Sequence, residues 1–247
     1  MGDAALTMAE PASYTVEVWR GRDEGRFQTF EVPASPKQTV LDLVTFVQRK
    51  LEPALAYRFA CRVGMCGSCA MTVNGRPRWT CRTHVARVAE AGRIRIEPLR
   101  NLPRVRDLVV DMQPFFDRWR DAGGRFVPRP GQLDRFAEVA PSSPARRAAD
   151  AGIECIGCGV CHAACDVVAW QPDYLGPAVL NRAWTLQNDA RDGAFGARLA
   201  AVASDAGCHA CHSHQACTEA CPKHLSPTGS IAGLKRQAFF AALKGEL

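Results

Sequence analysis

The sequence contains no run approaching the roughly 18 apolar residues that a membrane-spanning helix needs. Its longest candidates, LDLVTFV and AFFAAL, are broken by charge, so no transmembrane segment is expected. It also lacks the basic n-region and apolar h-region of a secretory signal: MGDAALTMAEPASY opens with acids, which predicts a cytosolic chain. No phosphate-cradling glycine loop, serine elbow or HExxH pair is present, so nucleotide binding, acyl transfer and zinc proteolysis have no residues to carry them. A hydrophobic content of 47% with 23% charge over 247 residues excludes wholesale disorder and leaves room for one large domain or two ordinary ones.

What the chain does have is 12 cysteines, nearly all in CxxC-like spacings. A reducing cytosol does not favour storing so many as disulfides, which makes metal ligation the leading reading. They fall into three groups of four: Cys61, Cys66, Cys69 and Cys81; Cys155, Cys158, Cys161 and Cys165; Cys208, Cys211, Cys217 and Cys221. The cysteine-free gap between the first two groups suggests a domain boundary. The formal charge of +6 counts every cysteine as a neutral thiol. Clusters held by thiolates carry negative charge, so the basic excess is weak evidence for a nucleic-acid partner.

The first part reads as a small sheet with one helix. YTVEV (14–18) and RFQTFEV (26–32) alternate as a hairpin. Val40, Leu43, Val44, Val47 and Leu51 form an apolar stripe at helical spacing behind a Thr39 cap with Asp42 at N3. AMTV (70–73), the Asn74-Gly75 turn and RPRWTC (76–81) read as a second hairpin, and RIRIEP (93–98) as a closing strand. That order is the order of a β-grasp domain. From Leu102 the residues Val105, Leu108, Val109, Met112 and Phe116 take up a helical period. A Pro/Gly/Ser-containing stretch, RFVPRPGQ through APSSPARR, follows, and Ala/Leu-rich segments at 178–202 and 227–243 read as helices.

Cys61-x4-Cys66-x2-Cys69 with Cys81 further on has the plant-type ferredoxin spacing for a 2Fe-2S cluster, with Gly64 and Gly67 allowing the loop to curl tightly. A zinc site uses CxxC pairs and has no need of the x4 spacing. Cys155-x2-Cys158-x2-Cys161-x3-Cys165 is the bacterial ferredoxin run, in which the fourth cysteine serves the other cluster of a pair. Cys217-x3-Cys221-Pro222 is the reciprocal half. The ligands should therefore cross: Cys155, Cys158, Cys161 and Cys221 at a 4Fe-4S cluster, and Cys165 with Cys211 and Cys217 at the other. His214 stands where a regular second half has a cysteine, which suggests a 3Fe-4S cluster. Cys208 is left over, either as a small buried hydrophobe or as a fourth ligand that would make this cluster 4Fe-4S too. His209, His212 and His214 lie beside this site, and Arg58, Arg62, Arg76, Arg78 and Arg82 crowd the first.

These motifs resemble the iron-sulfur subunits of succinate dehydrogenase and fumarate reductase over nearly the whole chain. CRVGMCGSCAMTVNG is similar to the family's 2Fe-2S loop, LRNLPRVRDLVVDM to its interdomain segment, and IECIGCGVCHAAC and CHSHQACTEACPKHLSPTGSI to its two ferredoxin halves. The resemblance implies an α+β protein: a β-grasp plant-type ferredoxin-like domain (12–115) and an all-helical bacterial-ferredoxin-like domain (116–247). It implies a relay of 2Fe-2S, 4Fe-4S and 3Fe-4S clusters between an FAD-containing flavoprotein subunit and membrane anchor subunits with quinone. The place would be peripheral, on the cytoplasmic side of the inner (plasma) membrane, and Trp170 and His212 would lie near quinone. Two departures stand out. Asp166 occupies a position where the family usually has proline, and Ala169 one where a second aromatic is common. A different flavoprotein partner, such as a thiol-dependent fumarate reductase or a heterodisulfide-reductase-like complex, is the alternative within this class. A zinc-dependent nucleic-acid module is the alternative outside it.

Overall fold

The computed structural model describes residues 11–131 and 138–247. Most of the N-terminal stretch read above for targeting, and part of the Pro/Gly/Ser-containing stretch, lie outside those residues. Contacts divide the chain into two compact units, Met1–Pro98 with Arg104–Val109, and Leu99–Pro103 with Val110–Leu247. Residues 110–115, placed with the first domain by the sequence reading, pack in the second unit.

In the first unit β1 (Ser13–Gly21) and β2 (Gly25–Pro33) form an antiparallel hairpin with Val16 opposite Phe30. β1 also runs parallel to β5 (Arg93–Glu97), which pairs with β3 (Ala70–Val73), and β3 pairs with β4 (Arg76–Trp79), giving the order β2-β1-β5-β3-β4. Asn74 and Gly75, both at positive φ (46° and 75°), make the β3–β4 turn, as the twist of a tight hairpin requires. α1 (Val40–Phe46) opens on a capping box between Thr39 and Asp42. Val40, Leu43, Val44 and Val47 enter one core with Val16, Val18, Ile94 and Ile96 of the sheet.

Three sequence expectations fail here. The helix widens into a π turn over Val47–Leu51, where Glu52 N–H reaches the Val47 carbonyl at 2.7 Å. The change of phase takes Leu51 off the apolar stripe and leaves it 45% exposed. The strand expected over 76–81 stops at Trp79, because Thr80 turns back to the Cys69 carbonyl through its N–H (3.3 Å) and Oγ1 (2.8 Å). The helical period from Leu102 is not realised before Gln113: β6 (Arg104–Arg106) and β7 (Val109–Val110) pair instead. Asp107, buried and at φ 50°, accepts the N–H groups of Gly21 and Ala56, each at 2.9 Å. Burial alone would raise its carboxyl, but those two bonds and Arg20 outweigh it and hold the pKa below the usual carboxylate value.

The second unit is helical: α2 (Gln113–Asp121), α3 (Pro144–Ile153), α4 (Val160–Ala164), α5 (Asp166–Trp170), α6 (Pro177–Gln187), α7 (Phe195–Val202), α8 (Ala216–Glu219) and α9 (Pro227–Leu243). α3 takes up the PARR end of the stretch read above as a separator. α6 is buried along almost its whole length and is the hub. A Cβ at Gly233 of α9 would lie 2.4 Å from the Trp184 ring, so glycine lets α9 approach α6. Asn181 of α6 donates to the Gly152 carbonyl at 3.2 Å and accepts from Ser230 Oγ at 2.9 Å, tying α3 and α9 to it. Arg198 and Asp192 form a buried two-point ion pair (2.8 and 2.9 Å), and Arg198 also donates to the carbonyls of Gly123 and Arg125.

Candidate metal centres

The first cysteine group closes on itself above the β3–β4 hairpin. Gly64 and Gly67, both at φ 73°, let residues 61–69 curl, and a Cβ at Gly64 would lie 2.9 Å from the Trp79 ring. The N–H groups of Met65 and Cys66 each point to Cys61 Sγ at 3.3 Å, and that of Gly64 points to Cys81. Donors aimed at sulfur stabilise thiolate charge. Cys66 is exposed, and its thiol is lowered to about 6 by the Ser68 hydroxyl and the Cys61 amide. Cys81 is buried, and burial with the neighbouring Cys69 pushes it up to about 12. Val63 and Met65 stand out into solvent beside this loop, and Arg62 is held by Asp42 at 2.6 Å.

The second unit holds two cavities. One is lined by Cys155, Cys158, Cys161 and Cys221, with Ile156, Ala178, Leu225 and the Asn181 carboxamide among its walls. Burial raises the thiols of Cys155 and Cys161, the latter strongly. The other cavity is lined by Cys165, Cys211 and Cys217 together with Tyr174, His212, His214 and Thr228. Val167 and Val168 N–H groups at the start of α5 point to Cys165, and Ser213 N–H lies 3.4 Å from Cys211 Sγ. Cys165 and Cys217 are also raised by burial.

The cysteines expected to cross between the ferredoxin halves do stand together in these cavities. Cys208 is fully buried in the hydrophobic core and does not line the third site's walls. Trp170 is 65% exposed, with ring centroids 6.4 Å from His212 and 6.0 Å from His214, while the two imidazoles are 5.8 Å apart. Tyr174 and Thr228 were not singled out by sequence reasoning, and nothing local marks them: only the fold brings them to the thiols. Among the described residues no group of three or more His, Cys, Asp or Glu side chains is gathered for a single metal ion. The thiols instead ring two cavities, and the donor set is the sulfur set that iron-sulfur clusters use.

Family models agree with this division. A model for a 2Fe-2S iron-sulfur cluster binding domain matches residues 15–117, and one for a 4Fe-4S dicluster domain matches 152–225. Fold and sites thus define a two-part iron-sulfur protein. The chain is 35% identical to the fumarate reductase iron-sulfur subunit of Mycobacterium tuberculosis, covering 88% of each. It is 34% identical to the succinate dehydrogenase iron-sulfur subunit of Paracoccus denitrificans over 79% of this chain and 74% of that one. A chain of the Mycobacterium smegmatis Sdh1 complex in the apo form superposes with a TM-score of 0.84 at 28% identity, covering 94% of this chain and 97% of that chain. The protein belongs to the iron-sulfur subunits of fumarate reductase and succinate dehydrogenase, the electron-transfer subunits of those enzyme complexes. Among the described residues no helix is long and apolar enough to cross a membrane.

Proposed function

We propose that the three cysteine sets hold three different clusters. Cys61, Cys66, Cys69 and Cys81 would hold 2Fe-2S; Cys155, Cys158, Cys161 and Cys221 would hold 4Fe-4S; Cys165, Cys211 and Cys217 would hold 3Fe-4S. The observation that carries this is the partition of the thiols between the two cavities, four in one and three in the other, with Cys208 in neither. When bound, such clusters supply one-electron transfer, which lets a two-electron flavin on another chain exchange electrons singly. The residues of this chain do the rest. Loop amides at Cys61, Gly64, Met65 and Cys66 steady the sulfur charge of the first site. The α5 amides of Val167 and Val168 do the same for Cys165.

The exposed Val63 and Met65, beside the exposed Cys66, offer an apolar rim to an FAD-containing flavoprotein subunit. Trp170 with His212 offers an aromatic surface and an imidazole donor at the mouth of the third cavity, which suits quinone and membrane anchor subunits. The subunit then sits peripherally, on the cytoplasmic side of the membrane. The test is iron and sulfide analysis with EPR on the anaerobically purified chain. About nine irons with three distinct cluster signals are expected; stoichiometric zinc, or a protein with one cluster, overturns the reading.

A further inference from the structure

The two cavities of the second unit differ in who donates to their sulfurs. None of the described residues lining the 4Fe-4S candidate carries a hydroxyl, and the Asn181 carboxamide there is engaged with Gly152 and Ser230. Lys223, also on that wall, lies 3.3 Å from Glu154. The third cavity has three hydroxyl-bearing residues on its wall, Tyr174, Ser213 and Thr228; Ser213 meets Cys211 Sγ through its N–H, which leaves Tyr174 and Thr228 as the side-chain candidates.

We propose that Tyr174 and Thr228 are positioning residues whose hydroxyls donate to Cys211 Sγ and Cys217 Sγ and so raise the reduction potential of the cluster in the third cavity. This rests on the reading of that cavity as a cluster site. Thr228 Oγ1 is 3.3 Å from Cys217 Sγ and 3.0 Å from Thr218 Oγ1, which in turn accepts the Thr228 N–H at 3.4 Å. With its oxygen taking the Thr218 proton, the Thr228 hydroxyl has its own proton for sulfur, and a ligating thiolate can only accept it. Tyr174 is 1% exposed, lines the cavity and hydrogen-bonds with Cys211. A phenol keeps its proton at neutral pH and so has one to donate.

Adding an electron increases the negative charge shared by the sulfurs, so a donor there stabilises the reduced state more than the oxidised one. Lys235 also brings positive charge nearby, donating to the Cys211 carbonyl at 2.7 Å. Its contribution is common to wild type and the hydroxyl variants, and the Thr218 hydroxyl, which also hydrogen-bonds Cys217, is retained in all of them.

The experiment is a potentiometric EPR titration of the assembled complex carrying Tyr174→Phe, Thr228→Val, both together, and Thr228→Ser. The third cluster should titrate at a lower potential in each of the first two, lower again in the double variant, and near wild type with Thr228→Ser. The 4Fe-4S potential should stay in place throughout. A third-cluster potential unmoved in both single variants, or an equal shift of both clusters, overturns the proposal. Should the variants fail to assemble, 3-fluorotyrosine at position 174 decides: this more acidic donor of nearly the same size should raise the third cluster's potential above wild type. A potential left in place overturns the proposal. Iron and sulfide analysis of the same samples separates loss of this inference from loss of the cluster reading.

Discussion

The second and third cavities hang from the same central helix and arise from the same internal repeat, yet they are built to opposite specifications. The second has four thiols, apolar walls and a carboxamide already engaged on both sides. The third has three thiols, the hydroxyls of Tyr174, Ser213 and Thr228, and an aromatic rim of Trp170, His212 and His214. A repeat supplies the thiol geometry twice, and the residues between the thiols decide what each site can exchange and with whom. The second is walled for retention. The third is polar and aromatic at its rim.

The severest way to break this comparison is to remove one thiol from each cavity. Cys161→Ser should cost the complex its 4Fe-4S iron and signal, and Cys217→Ser the third cluster's, each seen by iron analysis and EPR. Cys221→Ser should likewise remove the 4Fe-4S signal; if it instead removes the third cluster's, the crossed assignment is wrong. Next in size is Arg198→Met. It leaves the Asp192 carboxylate buried without its cation, at a cost of about 3–5 kcal/mol in denaturant unfolding. Burial would raise Asp192, but the bonds from Arg198, Ala194 and Val127 prevail and depress it. Its stabilising contribution is therefore complete above the unfolded value of about 3.9 and is lost as pH falls through the lower folded one. The deficit of the variant should accordingly be present in full at pH 7. Both cavities should weaken together, since the pair braces the shared scaffold; loss of one cluster alone would mean that they are supported separately.

Much of this arrangement can be read from the sequence, because cysteine spacing and turn chemistry act locally. Asn74-Gly75 can satisfy positive φ at two successive positions, and Thr39 with Asp42 caps whatever helix follows. Cys221-Pro222 points back to the first ferredoxin half by its place in a repeat. Leu102–Val109 misleads for the opposite reason. Its apolar spacing suits a helix, while Asp107 is claimed by amides 51 and 86 residues away. Tyr174 and Thr228 are likewise invisible until the chain is folded. The domain edge blurs for a related reason: the family model runs to residue 117, while packing puts Val110 onward in the helical unit.

Two milder changes sharpen the contrast. Trp170→Leu should leave the iron content and both clusters' signals intact and raise the KM for quinone of the assembled complex about tenfold, the equivalent of about 1.4 kcal/mol of lost contact. An unchanged KM would remove the aromatic rim from the account. Smallest is Cys208→Ala, which should cost about 1 kcal/mol of packing in thermal or denaturant unfolding and no iron at all. Loss of iron would make Cys208 a ligand and the third site a second 4Fe-4S centre.

The central claim is that the thiols divide into sets of four, four and three around three clusters. An anomalous-scattering map at the iron edge, from crystals of the anaerobically purified protein, tests it most directly. Iron density is expected enclosed by Cys61, Cys66, Cys69 and Cys81, by Cys155, Cys158, Cys161 and Cys221, and by Cys165, Cys211 and Cys217, with none bonded to Cys208. Single ions, disulfides, or iron shared among a different set of sulfurs would contradict it.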